Sequence, residues 1–401
     1  MLLSGQAASR WYKGNLHTHS LWSDGDDYPE MIVDWYKKHG YEFLALSDHN
    51  VMLTGEKWID AQTNKGGSAA LEKYFNRFGP EWVKQRTSKG RAQVRLRTLE
   101  QFRGKFEEPE KFLLIPGEEI SDKFGNAPIH LNASNLRKLI PPKGGKSVAE
   151  VIQNDVNAVL EQQRATGQPM IAHINHPNFR WAITAEDIMR VNGDRFLEVY
   201  NGHPITWNAG DTNHPSHERI WDIVLTKRLA EFHMDPIWGT AVDDAHNYHE
   251  FKTEHSNPGR GWIMVKAESL DAPALIKAME AGDFYATSGV LLEEIKRSKG
   301  ELAITIKAQP GVTYRTEFIG TWKGYDLSSQ PVMVDGKPIQ ATRKYSKDIG
   351  AVLYDAAGVS PSYKLKGDEI YVRAKIISSR PKGNPTTEGD FEMAWTQPVI
   401  P

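Results

Sequence analysis

Phe43-Leu44-Ala45-Leu46-Ser47-Asp48-His49-Asn50 is a short apolar run that ends on an acid and a histidine. A run of about four to eight apolar residues bounded by polar ones reads as a buried strand, so Asp48 and His49 are delivered at its C-terminal end. The same design recurs along the chain. Gly14-Asn15-Leu16-His17-Thr18-His19 reads as a first strand carrying two histidines, and Phe112-Leu113-Leu114-Ile115-Pro116-Gly117 as one delivering Glu118 and Glu119. Met170-Ile171-Ala172-His173-Ile174-Asn175 brings in His176, and residues 196–200 and 237–242 complete the set. Residues 28–39 place Met31, Ile32, Trp35 and Tyr36 at helical spacing, with Gly40 as a stop. Strands alternating with amphipathic stretches up to about residue 290 predict an α/β fold. Its polar donors then sit at strand C-terminal ends, where parallel α/β barrels build their sites.

The chain has 401 residues, 39% hydrophobic and 25% charged, the composition of a soluble globular protein. This length predicts two domains. A barrel domain is expected over residues 12–292, and alternating β-rich runs separated by Gly, Pro and Ser predict a small antiparallel β-sandwich over residues 300–401. Residues 55–111 form a long charged insertion, expected to be a solvated helical excursion or else a flap over the site. A net charge of −2 predicts no nucleic-acid partner, and no apolar run approaches the roughly 18 residues that span a bilayer, so no membrane partner is expected either. Residues 1–11 fit either the tail of an export signal or an unstructured leader, which leaves localisation, periplasmic or otherwise, open. Oligomeric state is equally open.

There is no cysteine, so a metal site has only nitrogen and oxygen donors. On a strand, residues two apart share a face, and His17 and His19 therefore reach one point. The turn Ser23-Asp24-Gly25-Asp26 brings Asp24 back toward them. Histidine and carboxylate together hold divalent cations such as zinc, manganese or iron. One histidine pair means little; four successive strand ends with such donors mean much more. His173, three residues before His176, faces the other side of an extended chain and reads as a core residue or one that orients a ligand. Asp48 reads as orienting a neighbouring ligand. Glu198 is either an orienting carboxylate, a carboxylate touching the hydrolytic water, or a polar strand end. Arg180, just past His176, is the best phosphate contact. The loop from Asn201 to Arg219, with His203, His214, His217 and Trp207, follows a barrel strand and is expected either to overhang the mouth and select substrate or to be a plain surface excursion.

Taken in order, Asn-Leu-His-Thr-His-Ser with its downstream Ser-Asp-Gly, Ser-Asp-His-Asn, Pro-Gly-Glu-Glu-Ile-Ser, Asn-His-Pro-Asn and Asp-Asp-Ala-His resemble the motifs of the PHP (polymerase and histidinol phosphatase) metallohydrolases. The segments Leu197-Glu198-Val199-Tyr200-Asn201-Gly202 and Tyr285-Ala286-Thr287-Ser288-Gly289 look like the branch holding carbamate hydrolases and uncharacterised phosphoesterases. The resemblance covers roughly residues 12–290 and implies a distorted (β/α)7 TIM-like barrel with two or three divalent metal ions (Zn, Mn or Fe) at its mouth. It implies as ligands His17, His19, Asp24, His49, Glu119, His130, His176, Asp244 and His246, with Gly117 setting the register that selects Glu119 over Glu118. Asp243 stands where serine is common in the family, which leaves the roles of Asp243 and Asp244 to be settled.

The implied activity is phosphate monoester or diester hydrolysis by a metal-bridging hydroxide. A carboxyl-ester or carbamate hydrolase on the same site is the alternative. Three cations would leave the site about doubly positive and favour a phosphate monoester; two would leave it about neutral and also admit an uncharged ester. A reading of another class makes the barrel idle and the β domain a glycan- or protein-binding module, with Trp322 and Trp395 as its platform.

Overall fold

A computed structural model describes residues 9–298 and 300–401, so most of the segment read as a leader lies outside the described residues. Strand β1 (Arg10–Asn15), helix α1 (Pro29–Lys38) and strand β2 (Phe43–Leu46) follow the apolar pattern closely. Helix α1 carries Pro29 in its first turn with Glu30, ends on Lys37 and Lys38, and buries Ile32, Val33 and Tyr36. Each terminal charge complements the helix dipole.

The insertion is not a helical excursion. Strands β3 (Lys57–Asp60), β4 (Gln85–Ser88) and β5 (Arg91–Leu96) form an antiparallel sheet in the order β3-β5-β4, flanked by helices α2 (Gly67–Phe78) and α3 (Leu99–Phe106). Tyr74, Val94, Phe102 and Phe106 join the same apolar cluster as Ile32 and Tyr36 of α1. Arginines interleaved with Val94 and Leu96 hide the period-two pattern from a composition-based reading.

Next come β6 (Leu113–Phe124), β7 (Ala127–Ser134), α4 (Val148–Thr166), β8 (Ile171–Ile174), α5 (Ala185–Ile188), β9 (Phe196–Asn201), α6 (His217–Ala230), β10 (Trp238–Val242), β11 (Trp262–Ala267), α7 (Ala272–Glu280) and β12 (Phe284–Thr287). They lie in one sheet in the order β10-β9-β8-β7-β6-β2-β1-β11-β12. The pairs β1/β2, β2/β6, β8/β9 and β9/β10 are parallel. The pairs β6/β7, β7/β8 and β1/β11 are antiparallel.

A closed (β/α)7 barrel is therefore not what forms. Gly125, at φ +60°, turns β6 straight back into β7, so this step has no crossover helix. On its outer edge β1 takes antiparallel β11 as neighbour. β10 meets it only beyond the strand ends, through a single bridge between Thr18 and Ala245. The Asp244 N–H donates to the His17 carbonyl at 3.0 Å and the His19 N–H to the Ala245 carbonyl at 3.0 Å. The seam is thus made at the mouth, by the backbone that carries the donors.

The C-terminal part runs through β13 (Leu292–Arg297), β14 (Glu301–Ile306), β15 (Tyr314–Trp322), four two-residue strands β16 (Ser329–Gln330), β17 (Met333–Val334), β18 (Lys337–Pro338) and β19 (Lys344–Tyr345), then β20 (Ala351–Ala357), β21 (Ser362–Lys364), β22 (Glu369–Pro381) and β23 (Phe391–Thr396). Strands β13-β14-β21 form one layer. Leu302, Ile304 and Tyr363 of that layer pack on Phe318, Val372, Ala374 and Ile376 of β15 and β22. The second layer is not a separate sheet: β23 pairs with β12 (Tyr285 opposite Thr396, Thr287 opposite Ala394), so β23-β22-β15-β20 extend the first sheet to 13 strands. Trp395 is 2% exposed and stacks on Tyr200 at 5.7 Å, which removes it as a surface platform. No helix among the described residues is long and apolar enough to cross a membrane.

Candidate metal centre

His17 and His19 flank Thr18, whose pairing with Ala245 keeps the backbone extended, and their Nε2 atoms lie 3.1 Å apart. Asp24 sits on a tight turn below them. A Cβ on Gly25 would fall 2.4 Å from the His19 carbonyl oxygen, so only glycine closes that turn. Asp48 is fully buried and holds the turn, accepting from the Ser20 and Ser23 amides at 2.8 and 2.9 Å and from their hydroxyls at 2.8 and 2.6 Å. Glu119 lies on β6 past the end of the β2 ladder, bridged to His49. Gly117 is needed two residues earlier because a Cβ there would meet the Ala133 carbonyl at 2.9 Å. His130 comes from β7, His176 follows β8, and Asp244 and His246 follow β10.

All nine residues predicted as ligands converge. Four overlapping groups place one donor atom from each member within 4.8 Å of the others: His19–Asp24–His49–His246, His17–His19–Asp244, His17–Glu119–His176 and His49–Glu119–His130. Glu119 stands between them. Its Oε1 is 3.0 Å from His130 Nδ1 and 3.5 Å from the Nε2 atoms of His17 and His176. Its Oε2 is 2.7 Å from His49 Nδ1 and 3.4 Å from His19 Nε2.

These atoms crowd together, some of them at hydrogen-bond distance, yet leave others of their number unsatisfied. His19 Nδ1, Glu119 Oε2 and His130 Nδ1 are buried with no hydrogen-bond partner among the described residues. Orphaned buried donors and acceptors are costly, and lone pairs aimed at a common point are what a divalent cation satisfies. The nitrogen-and-oxygen donor set fits such cations.

Charge follows the same pattern. Burial alone would raise Glu119, but His49, His130 and His17 outweigh it and hold the carboxyl well below its usual range. Asp244 is held low against burial by His17, His19 and His246. Burial pushes His19 down to about 3, helped by His246 and His49, so it presents a neutral imidazole. His17 is carried well above its ordinary value despite burial, by Asp244, Glu198 and Glu119.

Glu198 lies behind the centre and not in it. Fully buried, it accepts from His17 Nδ1 at 2.7 Å, from the His176 amide at 2.7 Å and from Asn201 Nδ2 at 2.8 Å, and it contacts His173 Nε2 at 3.2 Å. Held by Glu198 through Nδ1, His17 turns its Nε2 toward the other donors, where a bound cation would displace the second proton. Both Glu198 oxygens are engaged by these protein groups, two of which belong to the converging donors His17 and His176. Both Asp48 oxygens are likewise engaged, by the Asp24 turn. Neither side chain lines the cavity.

Asp243 is also resolved. It accepts from Tyr36 Oη at 2.7 Å and from the amides of Gly259, Arg260 and Gly261 at 2.9, 2.6 and 2.9 Å, away from the donors. Arg180 does not line the mouth. It is exposed, at φ +53°, with its guanidinium 5.6 Å from the Phe179 ring, and Phe179 takes the lining position instead.

The donors open into a cavity of about 300 Å³ whose remaining wall includes Lys65, Phe179, His203, Ile205, Thr206 and Asn247. Sequence reasoning missed Lys65, which comes from the insertion. It also missed Asn175, whose Nδ2 donates to Glu119 Oε1 at 2.7 Å. Lys65 carries no local motif. Asn175 directly precedes His176 and was legible only as part of Asn-His-Pro-Asn.

Glu118 points the other way, accepting from the Ile140 amide at 2.6 Å. Burial, with Asp155 nearby, pushes it up to about 7, and burial pushes Asp155 up to about 7 as well. Both folded values exceed the ordinary carboxylate values, so the folded state keeps protons that the unfolded chain releases. The stability this gives is fully present below about pH 4 and is lost as pH rises through about 7. Glu118→Gln, needing no proton, should show a smaller fall in thermal midpoint between about pH 5 and pH 8 than the wild type. Equal slopes for the two proteins would rule out Glu118 as a source of the dependence.

No protein-family model matches the chain, and no curated protein matches it. Among solved structures it is similar to a two-domain protein of Bacteroides vulgatus containing a predicted PHP-like metal-dependent phosphoesterase, at 13% identity and a TM-score of 0.44, covering 97% of this chain and 95% of that one. It is also similar to a Bifidobacterium adolescentis protein whose description proposes a metal-dependent phosphoesterase, at 12% identity and a TM-score of 0.28, covering 58% and 87%. A third is an amidohydrolase of Chromobacterium violaceum with bound sulfate and no metal, at 15% identity and a TM-score of 0.28, covering 58% and 87%. These likenesses are remote.

Proposed function

We propose that this chain is a metal-dependent phosphoesterase that hydrolyses a small-molecule phosphate ester with two or three divalent cations, zinc, manganese or iron, held by the nine converging donors. The observation that carries the reading is the position of Glu119, one oxygen beside each of two histidine groups, the arrangement of a carboxylate shared between cations. Bound cations supply Lewis acidity and hydrolytic water at neutral pH. The chain's own groups do the rest. Glu198 and Asp48 fix the ligands' orientation, and Asn175 fixes the Glu119 carboxylate. Among the described residues no serine lines the cavity and the chain has no cysteine, which supports water as the nucleophile. Asp48 and Glu198, set down as candidate catalytic residues from the sequence, are assigned positioning roles here, and Lys65 at the rim takes the phosphate contact expected of Arg180.

Two measurements test this. Protein purified without added metal is expected to carry stoichiometric divalent cations by elemental analysis. Metal-loaded protein is expected to cleave nitrophenyl phosphate monoester or diester in preference to a nitrophenyl carboxylate ester. Cleavage of carboxyl or carbamoyl esters alone would overturn the phosphoesterase reading in favour of an esterase.

A further inference from the structure

The cavity wall has two unlike stretches, one reaching Asp24 and His246 and the other His176 and His130. At one, Lys65 Nζ lies 3.3 Å from Asp24 Oδ2, Asp24 Oδ1 lies 3.2 Å from His246 Nε2, and the His203 ring stands edge-on to His246 at 5.3 Å. At the other, the Phe179 ring lies 5.2 Å from His176 and 5.8 Å from His130. From this polarity we propose that the substrate is a phosphate monoester of a compact apolar or aromatic alcohol. Its phosphate is received by Lys65 and His203, and its organic group lies against Phe179. The proposal rests on the phosphoesterase reading above and adds to it the substrate's class and orientation.

The backbone that presents each contact is held by its own hydrogen bonds. His203 Nδ1 accepts the Ile205 amide at 3.3 Å, so the ring proton sits on Nε2 and the imidazole enters the cavity as a hydrogen-bond donor. Lys65 is presented by a built turn. Asp60 accepts the Gln62 and Thr63 amides at 2.9 Å, and Asn64 accepts those of Gly66 and Gly67 at 2.9 Å. A Cβ on Gly66 would fall 2.2 Å from the Asp26 carbonyl oxygen, so glycine is what lets this turn sit against the Asp24–Asp26 loop. The insertion thereby contributes a cation to a centre formed by distant strands.

The apolar stretch is equally fixed. Asn178 Nδ2 donates to the carbonyls of Trp207 and Pro215 at 3.1 and 2.9 Å, which ties the Phe179 loop to the His203 loop. Trp181 stacks between Trp207 at 4.5 Å and His214 at 3.9 Å. Arg180, Trp181 and Trp207 all hold left-handed backbone, with φ of 53°, 54° and 46°. Strain of this kind persists only where surrounding contacts over-determine it, and it gathers at ligand sites. A cavity of about 300 Å³ is at the small end of ligand pockets and suits one ring in addition to a phosphate.

The test uses metal-loaded enzyme with benzyl phosphate and glycerol phosphate, whose leaving alcohols are both alkyl alcohols, so the pair differs chiefly in apolar surface. Wild type is expected to favour benzyl phosphate. Phe179→Ala should lower kcat/KM for benzyl phosphate about tenfold more than for glycerol phosphate. Lys65→Ala and His203→Ala should raise KM for both esters, and weaken inorganic phosphate binding by calorimetry, about fivefold each, with metal content unchanged. His203→Gln, which restores a donor, should recover part of that loss. If both esters are cleaved but Phe179→Ala moves them equally, or the Lys65 and His203 variants bind phosphate as wild type does, the orientation is overturned while phosphoesterase activity stands. If metal-loaded protein cleaves neither ester nor the nitrophenyl phosphates, the phosphoesterase reading falls and takes this one with it.

Discussion

Glu119→Gln is expected to abolish turnover and bound metal together, each by more than about 100-fold, the upper end of what losing even an outer carboxylate of a metal site costs. The reason is where its charge sits. Glu119 is fully buried and reaches five histidines at 2.7 to 3.5 Å: His49, His130, His19, His17 and His176. An amide keeps the shape but presents one oxygen and one NH2. The NH2 would face either the His49–His19 side or the His130–His176 side, where lone pairs already crowd. Elemental analysis of the purified variant, with activity on a nitrophenyl phosphate, checks both halves. Full metal content with full activity would remove Glu119 from the centre.

Asp222→Ala should cost about 3–5 kcal/mol of folding stability, the range for breaking a buried ion pair by removing one partner. Asp222 on α6 and Arg373 on β22 are 3% and 1% exposed. They pair in fork geometry, with Arg373 Nε to Oδ1 at 2.8 Å and Nη2 to Oδ2 at 2.7 Å, while Tyr371 Oη donates to Oδ1 at 2.7 Å. Without Asp222 the guanidinium keeps only Glu218, at 3.5 Å, and the face of Trp221, at 4.7 Å. Replacing both partners with apolar residues, as in Asp222→Leu with Arg373→Met, should cost less than the single change, because no buried charge is left over. Urea unfolding of the three variants decides it. A loss below about 1 kcal/mol for Asp222→Ala would show that this pair is not buried in solution as drawn.

What the sequence revealed and what it hid divide along physical lines. The runs ending at Leu46, Ile174 and Val242 were legible because a strand buried on both faces is largely apolar on both. Glu119 was separable from Glu118 only through the resemblance, whose Gly-x-Glu motif takes Gly117 as its register. The reversal at Gly125 was not legible, since β6 and β7 carry charge and polar residues at positions that cross the mouth, where apolar periodicity fails. Arg180 was chosen for its proximity in sequence to His176, but the left-handed turn gives that place to Phe179. Lys65 lies 41 residues from Asp24, and only the folded insertion reports their nearness.

The pairing of β12 with β23 has a consequence for how such a protein is inherited. Shortening the gene before β23 would strip the hydrogen-bonding flank from Tyr285, Ala286 and Thr287 and leave a raw sheet margin, a template for aggregation. The tail is therefore no detachable cassette. Recombination that trades it for another must supply a strand of matching register at that margin, or the half that carries the clustered donors loses its own solubility.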